Sequence, residues 1–158
     1  MATFLGGTAS LAQPKTVLVP LCGKSKDMVY LQQSGYSVVG VELVPDAIFQ
    51  FRAETSDEYG WLAPQQDRSG VRHATAYEVD GDSTGTLEVL EGDFFDLEAL
   101  DDLEAQFDGC LDRAALVAIK PLMRPRYAAR IQQLMKPGGR MLLIVFDYDQ
   151  VGMELGRV

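Results

Sequence analysis

Histidine, tryptophan and cysteine are scarce in this 158-residue chain, which has one His, one Trp and two Cys. One imidazole and two dispersed thiols cannot supply the ligand set of a zinc-type centre, so no metal site is expected. Cys22 and Cys110 stand far apart in apolar, strand-like surroundings, which suits reduced, buried thiols and a cytoplasmic setting better than a disulfide framework. Cations are few as well: 14 Lys and Arg face 23 Asp and Glu, a formal charge of -9. A chain of that sign repels a phosphate backbone, so no nucleic-acid partner is expected. No apolar run approaches the about 20 residues of a membrane span. The opening MATFLGGTASLAQP has neither a basic stretch nor a sustained apolar segment, so no membrane partner is expected. The single His73 lies in a polar stretch, far in sequence from the strand ends, and reads as a surface residue rather than a general base.

What is present is a strand and helix rhythm. With 47% hydrophobic residues, the length fits one domain over 1–158. Thr16 to Leu21 (TVLVPL) is an apolar run that ends in Cys22-Gly23-Lys24-Ser25, and Met28, Leu31 and Gln32 follow at helical spacing. Ser37 to Glu42 (SVVGVE) repeats the strand, and a helix is predicted from Pro45 towards Glu58, with Pro at its first turn. The polar stretch from Gly60 to Thr86, with GDSTG at Gly81 to Gly85, predicts a hairpin insertion around 67–86. Leu87 to Leu90 is a third strand, Glu98 to Ala105 a short helix, and Phe107 to Leu111 a fourth strand. Pro125 to Met135 reads as a helix closed by Lys136-Pro137-Gly138-Gly139, before the apolar strand Arg140 to Phe146. Alternation of this kind predicts an α/β, Rossmann-like parallel sheet with right-handed crossovers.

In such sheets ligands bind outside the carboxyl ends of the strands, so the loops after the first strands carry the candidates. Gly23 turns the chain into a helix, permitting close backbone approach and leaving amides for an anionic group; it can equally be a structural turn. There is no G-x-G-x-x-G, and the GKS at Gly23 lacks the earlier P-loop glycine, since that position is Leu18. Both a P-loop ATPase and a nicotinamide oxidoreductase are thereby disfavoured. Glu42 ends the second strand about 20 residues beyond the glycine turn, where a carboxylate can accept hydrogen bonds from ribose hydroxyls. In GDFFDL, Asp93 can reach an adenine amino group while Phe94 or Phe95 packs on the ring face; alternatively the aromatics fill core and the acids cap a helix. Arg113, after the fourth strand, can pair with an anionic group or simply with a loop acid, and Asp112 can orient it.

The segments VLVPLCGKSKDM, SVVGVEL, GDFFDL, LDRAALVAI and FDYDQ occur in the order seen in thiopurine S-methyltransferases, and the chain resembles that family over roughly residues 16–150. The resemblance implies a class I methyltransferase fold and S-adenosyl-L-methionine as cofactor. It implies that Leu21 makes a backbone contact near the methionine portion, that Glu42 holds the ribose, and that Asp93 and Phe94 line the adenine. It also puts Arg113 near the methionine portion and the acceptor, with Asp112 and Arg113 assisting transfer to a small thiol, thiopurine-like or selenium or tellurium acceptor. The family's tryptophan-rich N-terminal lid and its C-terminal strand pair are not recognisable here. The sheet is therefore expected to be incomplete, with an exposed edge open to self-association. A truncated, non-catalytic module that binds adenosine ligands or partner chains is the alternative expectation.

Overall fold

The computed structural model describes residues 15–63, 65–66, 72–78, 85–96 and 103–146. Among them, β1 (Thr16–Pro20), β2 (Ser37–Glu42), β6 (Leu87–Glu91), β7 (Phe107–Arg113) and β8 (Met135–Ile144) are parallel neighbours in the order β6-β2-β1-β7-β8. The first strand in sequence therefore lies inside the sheet, and the order reverses between β1 and β7. That reversal opens a crevice at the carboxyl ends. The predicted Rossmann-like sheet is thus present.

Strand and helix choice follow local chemistry. β1 is TVLVP and β2 is SVVGVE, β-branched runs buried on both faces, as expected of inner parallel strands. Their odd and even residues divide between two cores. Val17, Val19 and Val38 pack under α1 (Asp27–Gln33) and α2 (Pro45–Glu54) with Met28, Leu31, Ile48 and Phe51. Leu18, Val39 and Val41 pack on the other face, under α4 (Arg124–Leu134), with Tyr127, Ile131 and Leu134. Pro45 stands at the first turn of α2, after an extended Val44, where its missing N–H costs nothing.

Several boundaries differ from expectation. The polar insertion is not a separate appendage: β5 (Arg72–Glu78) pairs antiparallel with β6, with Ala76 opposite Leu87. β3 (Tyr59–Trp61) and β4 (Gln65–Gln66) then add to β5. The expected hairpin therefore extends the main sheet, and its connecting residues 79–84 lie outside the described residues. Buried Tyr59 secures this flank by donating its hydroxyl to Gln32 Oε1 at 2.6 Å, while Gln32 Nε2 donates to the Gly85 carbonyl at 2.9 Å. The helix expected to run on to Glu58 ends at Glu54. The helix expected over 98–105 falls largely outside the described residues. The short α3 (Ala115–Ala118) and a 3-10 turn over Pro121–Met123 were not legible as elements. β8 starts at Met135 rather than Arg140, because Met135 already pairs with Phe107 before an irregularity at Gly109. His73 is carried by β5, its backbone opposite Gln65 and Leu90. Among the described residues no helix is long and apolar enough to cross a membrane.

Candidate functional site

The carboxyl ends of β1, β2 and β6 surround a cleft of about 330 Å³, within the usual range for small-molecule sites. Its floor and one wall are Leu21, Val41 and Glu42; Gly92, Asp93, Phe94 and Phe95 form the opposite wall. Leu43, Val44 and Met123 complete it, and Leu43 and Val44 expose more than half of their surface. Apart from Glu42 and Asp93 the lining side chains are apolar.

The first loop is held in an unusual backbone conformation. Leu21 has φ 47 and Gly23 φ 53, both in the left-handed region. Glycine reaches that region freely, whereas a branched leucine there is strained and must be held by its surroundings. The holding contacts are visible: Cys22 N–H returns to the Val41 carbonyl at 2.9 Å, and Ser25 N–H donates to the Cys22 carbonyl at 3.0 Å.

Glu42 joins the two loops that flank the cleft. Its side chain is buried, and Oε2 accepts the Gly23 N–H at 2.8 Å while Oε1 accepts the Val44 N–H at 2.8 Å. Its own carbonyl accepts the Gly92 N–H at 2.9 Å, tying in the third loop. Each carboxylate oxygen keeps a second lone pair for a hydroxyl in the cleft. In the third loop, Asp93 Oδ1 accepts the Phe95 N–H at 2.9 Å, an Asx turn that leaves Oδ2 at the surface. Phe94 is 3% exposed and contacts Tyr127, so it belongs to the core as well as the wall; Phe95 is only half buried and stands edge-on to it.

Leu21, Glu42, Asp93 and Phe94 thus line one cleft, and Gly23 stands behind it, joined through its N–H to Glu42. Arg113 and Asp112 stand outside its lining. The Arg113 guanidinium is largely exposed and pairs with Asp27, at the start of α1, at 2.8 Å. That hydrogen bond and charge raise the Arg113 pKa further above its ordinary value. The expectation that Asp112 orients Arg113 is corrected. Successive residues of β7 face opposite sides of the sheet, so Arg113 points to solvent and Asp112 into the core. Asp112 has no exposure; its carboxylate accepts the Leu116 N–H at 3.2 Å and the Tyr127 hydroxyl at 2.8 Å. It is an acceptor for α3 and α4 rather than a group facing a ligand. Burial and that hydrogen bond push the Tyr127 pKa well above the usual phenol value.

Neither cysteine is poised as a nucleophile. Burial, with the Glu42 charge adding to it, drives the Cys22 thiol far above its ordinary pKa, and burial beside Asp112 pushes Cys110 up to about 12. Among the described residues no group of three or more His, Cys, Asp or Glu could hold a metal ion. The sequence signals missed Asp27, Tyr127, Leu43, Val44 and Met123. Only the helical spacing of Tyr127 ahead of Ile131 and Leu134 marked it as facing the sheet.

The profile described as Thiopurine S-methyltransferase (TPMT) matches residues 2–156. A thiopurine S-methyltransferase of Azotobacter vinelandii is 43% identical over 146 residues, 92% of this chain and 61% of that protein. Another from Pseudomonas fluorescens is 45% identical over 141 residues, 89% of this chain and 58% of its own length. The chain therefore spans about six-tenths of the length of these curated relatives. Among solved structures, the Burkholderia thailandensis 1,6-didemethyltoxoflavin-N1-methyltransferase with bound 1,6-didemethyltoxoflavin and S-adenosylhomocysteine superposes with a TM-score of 0.57. The identity there is 25%, over 89% of this chain and 48% of the other.

Proposed function

Because the chain belongs to the thiopurine S-methyltransferase family, we propose that it binds S-adenosylmethionine in the β1-β2-β6 cleft and supports methyl transfer to a small thiol or related chalcogen acceptor. The observation that carries this reading is Glu42: a buried carboxylate at the end of β2, fixed by the Gly23 and Val44 amides, with lone pairs directed at a cleft of nucleoside size.

The residues present fit the donor. Glu42 would accept from the two ribose hydroxyls, a bidentate arrangement that binds a diol and repels a phosphate. Phe94, Phe95, Val44 and Met123 offer apolar surface to the base, and Asp93 Oδ2 an acceptor for its amino group. The left-handed turn at Leu21 and Gly23 would offer backbone groups to the amino-acid portion. When bound, the donor supplies an electrophilic methyl group on a sulfonium. The chain's own residues then need to orient it and exclude water, because charge is neutralised as a thiolate displaces the sulfonium. A readily ionised thiol makes no demand for a strong base. Arg113, at the end of β7 and paired with Asp27 at the start of α1, is a cation that would exchange partners with an anionic group at the acceptor side.

Calorimetric titration with S-adenosylhomocysteine tests the donor site, followed by methyl transfer to an aromatic thiol. Saturable binding with slow or fast turnover supports the proposal. Absence of binding in the folded chain, or binding of NADH in its place by fluorescence, would overturn it.

A further inference from the structure

Two adjacent side chains of α4 hold the Phe94 and Phe95 turn from two sides. Tyr127, 1% exposed, sets its ring 5.4 Å from Phe94 and 6.4 Å from Phe95, inside the core. Arg126 grips from the surface: its guanidinium lies 5.0 Å from the Phe95 ring centre, donates to the Phe95 carbonyl at 3.2 Å and pairs with Asp96 at 2.7 Å. The inner contact is itself anchored, since the Tyr127 hydroxyl donates to the unexposed Asp112 carboxylate at 2.8 Å. Among the described residues the turn's other hydrogen bonds are local or upstream. Asp93 accepts from Phe95 and Asp96 within the turn, and Gly92 is tied to Glu42 at its start. Those bonds shape the turn, while the contacts from α4 reach its aromatic side chains.

We propose that Arg126 and Tyr127 are positioning residues for the donor's base: a two-sided clamp, anchored on Asp112, that fixes the Phe94 and Phe95 turn as the base-facing wall. This rests on the donor-site reading above. Aromatic contacts depend steeply on ring offset and angle, so a wall free to rotate loses affinity for a flat base while leaving ribose and amino-acid contacts intact. Asp112 thereby has a role through Tyr127 rather than at the reacting atoms.

The test compares two ligands that differ only in the base: S-adenosylhomocysteine, and S-ribosylhomocysteine, which has none, measured by titration or by displacement at high concentration. Tyr127→Phe removes the anchor and keeps the ring; Arg126→Ala removes the outer grip. Each variant should bind S-adenosylhomocysteine about five-fold more weakly and S-ribosylhomocysteine within about two-fold of the parent. Unchanged binding of both ligands overturns the clamp, as does an equal loss for both, which would indicate general loosening. If Tyr127→Phe fails to fold, Arg126→Ala decides alone, because that side chain is 58% exposed. A parent chain that binds neither ligand refutes the donor site itself, an outcome distinct from failure of the clamp.

Discussion

Replacing Glu42 by Gln separates two roles that one carboxylate combines. Its two oxygens hold the Gly23 and Val44 amides, each at 2.8 Å, so the side chain is a brace between the first and second loops before any ligand arrives. A carboxamide has one oxygen and one donor nitrogen, so one of the two backbone N–H groups would face an N–H and lose its partner. Removing a single acceptor from a part-buried donor costs about 1 to 2 kcal/mol, less than from a fully buried one. For a chain of this size each kcal/mol lowers the midpoint by roughly 2 to 4 °C, so thermal unfolding should shift down by about 2 to 8 °C. Ligand affinity should fall further than stability predicts. The amide cannot accept from both ribose hydroxyls and carries no charge, so S-adenosylhomocysteine should bind about ten-fold more weakly. Circular dichroism melts and calorimetry read the two effects independently. A melt unchanged within about 1 °C would show that the carboxylate does not brace the loops. A lowered melt with undiminished affinity would keep the brace and refute the ribose contact.

Three further outcomes follow from packing and charge. With thiol pKa values raised by burial, Cys22 and Cys110 should resist a thiol-specific disulfide reagent at pH 8 in the native chain and react fully in denaturant; rapid native labelling of Cys22 would refute its burial. Burial raises the Asp108 pKa, but the Thr16 N–H and the Lys136 ammonium outweigh it and leave the value lowered. A depressed carboxyl stabilises the fold above its unfolded value near about 4, and that contribution is lost as pH falls through the folded value. Asp108→Asn should therefore lower stability at pH 7 by about 1 kcal/mol or less, with the difference shrinking in urea titrations as pH falls below the ordinary carboxyl value of about 4; a difference that does not shrink would refute the ionic origin. A Cβ at Gly40 would lie 2.7 Å from Met28 Sδ and 2.8 Å from Cys22 Sγ. Gly40→Ala should destabilise by about 1 to 3 kcal/mol in denaturant, tempered by the flexibility of Met28, and a neutral result would contradict close packing under β2.

Much of the candidate cleft was legible because its signals are local. TVLVP and SVVGVE announce inner strands by their β-branched composition, and Gly23 and Glu42 sit at the strand ends that such runs define. Asp93 and Phe94 lie in one short segment after a third strand, so their gathering in a cleft follows once the strand order is known. The flank at Gly60 to Thr86 was legible only in part: its turn chemistry marked a hairpin, yet which strand it would join depended on pairing with β6.

The roles of Asp112 and Arg113 show where local pattern stops. Their adjacency in sequence suggested a pair, but β7 sends them to opposite faces, and each finds a partner elsewhere: Arg113 with Asp27, 86 positions away, and Asp112 with Tyr127. Strand composition and turn residues determined the parallel sheet, the glycine turn and the acid at the end of β2, because those depend on steric and solvation preferences of neighbouring residues. Tertiary structure alone decided the edge strands, the burial of Asp112 and the contacts from α4 to the Phe94 and Phe95 turn. Those contacts join segments whose proximity arises only when both faces of the sheet are covered and register fixes which side chain meets which.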